Sequence, residues 1–454
     1  GTSMTVKKIV LKNLFGLFDH EIDLRVDERI TIIHGPNGVG KTTILQLLND
    51  LFERRFHSLR TTPYESLLVH FSDGVALEVT RSESQDDNEL PLLRFICRRP
   101  GADVDEYDLR VSEEWDEIRR HIPLGAIDEF IEPLDRVART KWFDASIGDT
   151  LSLEEVFSRY APDLPFPEAV EFYGLPKWLL SCLDSVSTYF IQTQRLFAVP
   201  APSAGGEWRR VSRREATGRE RQSAVRKYAG DMVDRIRDAL RESGARAASL
   251  DRTFPQRLLS GSLPTEATED AIRDRYEEQA EYRRRLMNAG LIEMNPLLDL
   301  PAGELKNHDR KVLWYYLQDV EEKLEAFQGL LEKVELFRDI INSRFLYKSF
   351  NVDKEEGFAV TAQNSRSIPL DALSSGEQHE LVLAYALLFA VKPKSLILID
   401  EPELSLHVTW QHKFLDDVKR ISDLADLDFL IATHSPSIIH DRTDLMVGLG
   451  DVQA

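Results

Sequence analysis

The sequence predicts an α/β protein in which a mixed sheet, flanked by helices, surrounds a glycine-rich loop and is interrupted by an inserted helical domain. Three observations lead to this fold class. A strand, a glycine-rich loop and a helix follow one another over residues 29–52, an apolar strand at 395–400 ends in carboxylates, and charged helical patterns lie between them. The predicted division is 4–200 for the first part of the sheet-bearing head, 201–344 for the helical insertion and 345–454 for the second part of the head.

The glycine-rich loop, from Gly35 to Thr42, matches the phosphate-binding pattern G-x-x-x-x-G-K-[ST]. A phosphate can approach backbone N–H groups only where side chains do not intrude, and glycine leaves that space. We expect Lys41 to reach the β- and γ-phosphates of ATP and Thr42 to offer its hydroxyl to Mg²⁺, at the positive end of the helix that follows. The predicted phosphate-binding residues are Gly35, Pro36, Asn37, Gly38, Val39, Gly40, Lys41, Thr42 and Thr43.

The strand from Ser395 to Asp400 is continuously apolar, which is typical of a central strand in a parallel sheet covered on both faces. It is followed by a second carboxylate, Glu401. A carboxylate at such a strand end can hold Mg²⁺ beside the phosphates, usually through water, and its neighbour can polarise the attacking water. We therefore predict Asp400 as a Mg²⁺ residue and Glu401 as the general base.

The segment Leu373–Gln378, just upstream of this strand, resembles the signature motif of ABC-type ATPases. The resemblance implies an ABC-type P-loop ATPase head in which Ser375, Gly376 and Glu377 contact the ATP held by a second subunit. Two heads would then pair face to face around two ATP molecules. A hydroxyl and glycine amides at a helix N-terminus also suit an anion. The same residues could instead form an ordinary helix cap. In this family the position of Pro402–His407 corresponds to a loop between subunits.

Two further segments resemble parts of the same family. Thr433–Ser435 follows an apolar strand and resembles the histidine switch, so the resemblance implies that His434 contacts the γ-phosphate during catalysis. Residues 189–196 resemble the glutamine loop, which joins Mg²⁺ and the attacking water to the helical lobe. Gln194 is the preferred catalytic and metal-binding glutamine and Gln192 the reserve, because the sequence does not fix which of them faces the site.

Composition limits the class of protein. The 454 residues and 42% hydrophobic content support a sizeable core of two or three structural units. The sequence contains neither an apolar run long enough to span a bilayer nor a signal-peptide pattern, so we expect a cytoplasmic protein without a membrane partner. The two cysteines, Cys97 and Cys182, lack a partner spacing, which argues against a disulfide framework or a zinc site.

The net charge of −20 argues against a dedicated DNA clamp, since phosphate contacts from basic residues supply most of the affinity of such proteins. Residues 207–257 reverse the sign, with 14 Lys/Arg against 8 Asp/Glu. This segment could be the solvated face of charged helices, a docking surface for an acidic protein, or a nucleic-acid surface.

The pattern along the chain also indicates its secondary structure. Strands are predicted at 6–13, 21–24, 67–71 and 75–80. The last two are joined by a hairpin turn at Asp73-Gly74. From about residue 112 the pattern becomes helical, and the longest helix is predicted over Asp309–Phe345, with a short coiled-coil-like stripe that could pair with Thr268–Met287. This stripe is far too short for the long arms of SMC-type ATPases, so we expect a compact insertion.

The run Asp400–His407 and the compact head resemble the RecF and OLD-nuclease branch of these ATPases. OLD proteins continue into a TOPRIM nuclease, whereas this sequence ends 20 residues after His434. The resemblance therefore implies an oligomeric ATPase whose effector is a separate chain, as in anti-phage defence systems of the PARIS type or, second, the Septu type. The effector would be a TOPRIM-like or HNH nuclease, with a viral protein as a possible trigger. The alternative is a RecF-like DNA-repair ATPase that clamps nucleic acid, and a transporter ATPase is the third candidate.

Overall fold

The computed structural model describes residues 4–83, 91–109, 120, 122–160, 163–165, 174–192, 216–404 and 406–449. Contacts divide the chain into two compact units. The first comprises the residues up to Ala216 and those from Phe389 onward, and the second comprises Thr217–Leu388. The second unit therefore includes residues 345–388 as well as the helices, and the predicted division at residues 200 and 344 stays a prediction.

The strands of the described residues are β1 (Val6–Leu14), β2 (Phe18–Asp23), β3 (Ile30–His34), β4 (Ser66–Phe71), β5 (Ala76–Ser82), β6 (Leu92–Arg98), β7 (Asp105–Leu109), β8 (Leu134–Ala138), β9 (Lys141–Asp144), β10 (Asp149–Ser152), β11 (Thr188–Gln192), β12 (Lys348–Asp353), β13 (Gly357–Ala362), β14 (Ser367–Ile368), β15 (Leu396–Asp400), β16 (Asp428–Ala432) and β17 (Met446–Gly448). The α-helices are α1 (Lys41–Phe52), α2 (Phe56–Thr61), α3 (Ile127–Phe130), α4 (Leu153–Tyr160), α5 (Lys177–Asp184), α6 (Ala216–Ser260), α7 (Glu269–Asn288), α8 (Asn307–Leu324), α9 (Gln328–Arg344), α10 (Ser375–Tyr385), α11 (Val408–Gln411), α12 (Phe414–Ala425) and α13 (Pro436–Ile439).

An antiparallel sheet in the first unit has the strand order β2-β1-β4-β5-β6-β7. On β4 every second side chain, Leu67, Val69 and Phe71, is buried, as expected for a strand with one covered face. The turn between β4 and β5 contains Gly74, whose φ of +86° is readily adopted by glycine. In the same turn, the side chain of Asp73 accepts a hydrogen bond from the backbone N–H of Val75. The hairpin predicted at these two residues is confirmed.

The second sheet of this unit is parallel, with the order β11-β15-β16-β3-β17. The side chains of Leu396–Ile399 on β15 are all buried, which confirms a strand covered on both faces. Because these strands run in one direction, Asp400 lies beside Ala432 of β16 and Gln192 of β11 at the same edge of the sheet. The predicted α/β fold class with a helical region is confirmed, but in the described residues the predicted mixed sheet is two separate sheets, one antiparallel and one parallel.

A small antiparallel sheet, in the order β10-β9-β8, occupies residues 134–152. The prediction of a helical pattern from residue 112 is therefore wrong over this stretch. Each strand has only four or five residues, and so few residues do not separate a twofold from a helical period. The burial of Trp142 and Leu151 in a common core with α4 stabilises the sheet instead.

The long helix predicted over Asp309–Phe345 is interrupted in the structure. A 3₁₀ turn, Glu325–Phe327, separates α8 from α9 and buries the Phe327 side chain. Gly329 is the second residue of α9, and glycine disfavours a continuous helix because it orders at a larger entropic cost than other residues. The apolar stripe therefore continues across two helices rather than one.

Helices α7 and α8 pack against each other, as the sequence suggested. Arg275 lies over the Trp314 ring, with its guanidinium carbon 4.9 Å from the ring centroid. Gln279 Nε2 donates to the carbonyl oxygen of Leu317, whose side chain is fully buried. The pair is thus held by one cation–π contact and by polar contacts around a small apolar core.

Two further predictions concern the cysteines and membranes. Cys97 and Cys182 are both buried, free thiols, and their Sγ atoms lie 3.5 Å apart. They are 85 residues apart in the sequence, so spacing gave no sign of this contact. Burial, reinforced by Cys97, raises the pKa of Cys182 to about 12.

Among the helices of the described ranges, none has the length and apolar character needed to cross a membrane.

Candidate nucleotide-binding site

The glycine-rich loop joins β3 to α1 at the carboxyl edge of the parallel sheet. Gly38 and Gly40 have φ angles of +89° and +94°, in the left-handed region that favours glycine. A Cβ at Gly40 would overlap the Leu14 side chain, and a Cβ at Gly35 would lie 2.7 Å from the Leu449 carbonyl oxygen. The packing and backbone of the chain itself therefore require glycine at these positions.

Two buried side chains hold the loop. Lys41 Nζ donates to the carbonyl oxygen of Gly35 and, at 3.1 Å, to that of Pro36. The Nε2 atom of His20 lies 2.7 Å from the carbonyl oxygen of Val39, a contact that the sequence did not indicate. The remaining loop residues, Pro36, Asn37 and Gly38, are exposed, whereas Thr43 is half-buried in the first turn of α1.

The ammonium group of Lys41 faces several acids. Burial lowers the pKa of Lys41, while Glu401, Asp400 and Glu403 act in the opposite direction. A buried cation with backbone carbonyls as its hydrogen-bond partners is well placed to exchange them for phosphate oxygens, which accept stronger, charge-assisted hydrogen bonds.

Thr42 and Asp400 form the pair that the sequence assigned to Mg²⁺. Thr42 Oγ1 donates to Asp400 Oδ2 at 2.9 Å, so the two oxygens meet between α1 and the end of β15. Burial raises the pKa of Asp400; the Thr42 hydrogen bond opposes this shift, and Glu401 and Glu403 add to it. A hydroxyl oxygen next to a carboxylate at an acid-rich edge fits the hard oxygen ligands that Mg²⁺ prefers.

Glu401 occupies an unusual backbone conformation directly after β15. Its φ of +49° lies in the left-handed region, which is uncommon for a residue with a side chain. Its N–H donates to the Ala432 carbonyl oxygen at 2.8 Å, which fixes the turn against the next strand. The side chain is about one-third exposed, so water can reach the carboxylate that we predicted as the general base. Backbone strain of this kind is concentrated at functional sites.

His434 is brought to the same edge by the end of β16. Its Nδ1 atom lies 3.9 Å from Glu401 Oε1 and 3.3 Å from Glu403 Oε1. The Glu403 side chain is only 8% exposed, and its other oxygen accepts a hydrogen bond from Thr433 Oγ1 at 2.7 Å. Sequence reasoning missed Glu403, although its position two residues after Glu401, across a proline, offered a signal.

Of the two glutamine candidates, only Gln192 can be placed, since Gln194 lies outside the described residues. Gln192 pairs with Asp400 in the register of β11 and β15, and its Nε2 donates to Gln46 Oε1 on α1 at 3.1 Å. Gln46 in turn donates to the buried Asp50. The choice between Gln192 and Gln194 as the catalytic glutamine stays open.

The signature residues belong to the second unit, at the start of α10. Ser374 and Glu377 form a capping box, in which the hydroxyl accepts from the Glu377 N–H and the carboxylate accepts from the Ser374 N–H. Lys348 Nζ donates to both carboxylate oxygens of Glu377, at 2.8 and 2.9 Å. Burial would raise the pKa of Glu377, but Lys348 and the Ser374 backbone outweigh it and lower the pKa. Ser375 and Gly376 are exposed on the first turn.

Two protein families match parts of the chain. Residues 219–440 match the family described as "AAA domain, putative AbiEii toxin, Type IV TA system", and residues 4–120 match "AAA ATPase domain". A curated Escherichia coli protein, "Retron Ec83 probable ATPase", is 27% identical over 165 residues. This similarity covers 32% of the chain and spans 30% of the length of that relative.

Solved structures with similarity to the chain include the Smc head domain with an extended coiled coil from Pyrococcus furiosus, at 13% identity over 98% of this chain and 93% of that one, with a TM-score of 0.35. The SMC head domain from Thermotoga maritima is 13% identical over 99% of this chain and 100% of that one, with a TM-score of 0.32. The geometry of the phosphate loop, the paired acids that follow β15 and the two family matches together indicate an ATPase domain of the ABC/AAA type.

Proposed function

We propose that the chain hydrolyses ATP as the switch subunit of a bacterial anti-phage defence system and controls a separate effector nuclease. The observation that carries this proposal is the convergence of Lys41, Thr42, Asp400, Glu401 and His434 on one edge of the parallel sheet. A cation, a metal-binding pair, a base and a histidine are the groups that phosphoryl transfer to water requires.

The residues divide the chemistry between them. Lys41 would exchange its loop carbonyls for phosphate oxygens, and Thr42 and Asp400 would hold Mg²⁺. When bound, MgATP supplies the reactive γ-phosphate together with the metal charge that stabilises it. Glu401 would orient a water molecule and accept its proton, and His434 would donate a hydrogen bond to the phosphate as charge develops there. All of these side chains belong to the first unit.

The exposed start of α10 supports a second contact with nucleotide, from another copy of the chain. Among the residues that the structure describes, none has an atom within 4 Å of a Cβ placed on Gly376, and the φ of Gly376 is not positive. Glycine therefore has no structural reason here and lowers helix stability. An approach by a group outside the chain would explain it, and a γ-phosphate held by a second copy is the group that the signature motif suggests. Contacts made only in the paired state would let ATP shift the equilibrium toward pairing.

The proposed defence role is supported by the descriptions of the matched family and of the curated relative, and by the resemblance of the head motifs to those of defence ATPases. The family matched by residues 219–440 is described as a putative toxin of a toxin–antitoxin system, and the curated relative is a retron ATPase. The head motifs also resemble those of PARIS ATPases and, second, of Septu ATPases. Together, these similarities favour a TOPRIM-like or HNH nuclease as the effector and a viral protein as the trigger. The paired ATPase would hold or release that effector.

The basic segment gives little support to the alternative of a DNA clamp. In its described part, arginines of α6 are ion-paired with acids of the same unit, among them Arg226 with Asp371 and Arg257 with Asp319. Arginines that are paired in this way contribute less positive electrostatic potential for binding nucleic-acid phosphates. The solvated, internally paired helix face is the interpretation that the contacts favour.

Glu401→Gln tests the ATPase switch. Loss of the base should lower the turnover of ATP by about 10²- to 10⁴-fold, while binding contacts remain. Analytical ultracentrifugation should then show a stable, paired species with ATP but not with ADP, and wild-type protein should pair only transiently. The matched control Glu21→Gln alters an exposed carboxylate on β2 and should hydrolyse ATP normally. If the nucleotide-bound Glu401→Gln protein stays monomeric, the pairing model is wrong.

A further inference from the structure

Glu403 is a buried carboxylate beside the nucleotide site to which neither the sequence motifs nor the proposed chemistry gives a task. Its side chain is more than nine-tenths buried, and Thr433 donates to Oε2. Within the described residues, Oε1 is buried and accepts no hydrogen bond, and His434 Nδ1 lies 3.3 Å from it. A buried carboxylate is costly without a partner, so this geometry calls for a cation or an N–H group at Oε1.

A ring of hydrogen bonds fixes Glu403 against the segment that carries His434. Thr433 Oγ1 donates to Glu403 and accepts from the Ser435 N–H at 3.1 Å. Ser435 Oγ donates to Gln411 Oε1 at 3.2 Å, and Gln411 Nε2 donates to the Glu403 carbonyl oxygen at 3.3 Å. Thr433 is fully buried, so the ring links the turn after β15 to the end of β16 through the interior.

We propose that Glu403 is a positioning residue for His434. Its carboxylate accepts the Nδ1–H of a doubly protonated His434 ring, so that the Nε2–H on the other side of the ring can donate to a phosphate oxygen. In histidine sites of many kinds, the partner of one ring nitrogen sets the tautomer and orientation of the other. The proposal rests on the ATPase function proposed above, because it gives His434 a task at the phosphate.

Glu401 and Glu403 lie at different distances from the His434 imidazole and differ in exposure, and we infer different roles for them. Nδ1 is closer to Glu403, at 3.3 Å, than to Glu401, at 3.9 Å. Glu401 is also more exposed, at 33% against 8%. The exposed carboxylate is available to water, whereas the buried one is held by Thr433. Glu403 can therefore hold the histidine while Glu401 stays available to activate water.

Glu403→Gln is the most direct variant, because it keeps the volume and can keep the Thr433 hydrogen bond. Its uncharged amide cannot balance the charge of a doubly protonated ring, so the variant should favour the neutral imidazole, a weaker donor to phosphate. We expect kcat for ATP hydrolysis to fall about 10- to 100-fold, as for other supporting partners of active-site histidines, with the Kd for a fluorescent ATP analogue unchanged within about threefold. Glu21→Gln again serves as the matched control.

A double-mutant cycle with His434→Ala separates positioning from an independent role. If Glu403 acts through His434, the double variant should have the kcat of His434→Ala within about twofold. Losses that multiply, a wild-type kcat in Glu403→Gln, or loss of analogue binding would each overturn the proposal. Thermal unfolding of every variant shows whether a loss comes from misfolding, and Thr433→Val provides a second, milder way to release the carboxylate.

The ¹⁵N chemical shifts of the His434 ring report which ring nitrogens carry a proton, without any need for ATPase activity. The wild type should show both nitrogens protonated, and Glu403→Gln should show a neutral ring in which one nitrogen is unprotonated. An unchanged protonation pattern would refute the positioning role even if ATP hydrolysis is confirmed. Conversely, a changed pattern in a protein that does not hydrolyse ATP would support the contact and refute the proposed function.

Discussion

The phosphate loop and the signature segment both place glycines at the start of a helix, but their glycines have different causes. Gly40 has a positive φ, and a Cβ there would meet Leu14. Gly376 has no positive φ, and a Cβ there would meet no atom of the described residues within 4 Å. The first glycine is explained by the fold of its own unit. For the second we proposed an approach by the nucleotide of another copy of the chain.

This difference separates two kinds of binding site. A loop whose shape is fixed by internal packing is complete before the ligand arrives, and such preorganisation favours binding. An exposed helix start with a capping box and open space is stable by itself and becomes a site only when a partner approaches. We therefore expect the loop to act within one copy of the chain and the signature segment to act across two.

The largest effect should come from removing the loop cation. In Lys41→Ala, the loss of a buried, charge-assisted donor should weaken ATP binding by about 10- to 100-fold, even in dilute, unpaired protein. Ser375→Ala should bind ATP as the wild type does under these conditions, yet lose ATP-dependent pairing. Titration with a fluorescent ATP analogue measures the first effect and ultracentrifugation the second.

Lys12→Ala is the control for Lys41→Ala, since Lys12 is exposed on β1. Equal weakening of ATP binding by Lys41→Ala and Ser375→Ala in unpaired protein would contradict the difference between the two sites, because the signature segment would then act within the same copy.

Substitution by alanine at Gly40 and at Gly376 should change the free energy of unfolding in opposite directions. Gly40→Ala forces a side chain into a left-handed conformation and against Leu14, which should lower the free energy of unfolding by about 2–4 kcal/mol. Gly376→Ala replaces glycine in an open helical turn and should raise it by about 0.5–1 kcal/mol. Thermal and urea unfolding check the sign of each change.

Gly376→Ala should nevertheless reduce ATP-dependent pairing, because the added methyl group occupies the space that the partner's phosphate needs. A stabilised protein with undiminished pairing would leave Gly376 without a functional reason and would contradict the trans contact.

How far the sequence predicts the site depends on how local each contact is. Lys41 and Thr42 follow from a contiguous motif, and Asp400 and Glu401 from the end of an apolar strand, so their meeting at one sheet edge was predictable from the parallel topology. Glu403 was missed because its partners, Thr433 and His434, are separated from it by 30 residues or more and are brought near only by strand order. No single-segment pattern contains that contact.

Other features were missed for different physical reasons. The strands over residues 134–152 are too short for their period to be distinguished from that of a helix. The break of the long helix at Glu325–Phe327 depends on the burial of one aromatic side chain, which a regular apolar stripe conceals. The contact between Cys97 and Cys182 joins a strand to a helix across the core and leaves no trace in their spacing.

The smallest effect should come from Lys348→Met, which removes the ion pair to Glu377 but keeps the Ser374 cap. The pair is partly exposed, so its loss should lower the free energy of unfolding by less than about 1 kcal/mol near neutral pH. The pKa of Glu377 is lowered in the folded chain, so its contribution is present above the unfolded pKa and is lost as the pH falls through the folded one. The difference between wild type and Lys348→Met should therefore shrink in acid, as unfolding measured from pH 7 to pH 3 can show. A difference that grows in acid would mean that Lys348 stabilises the start of α10 through a partner other than Glu377.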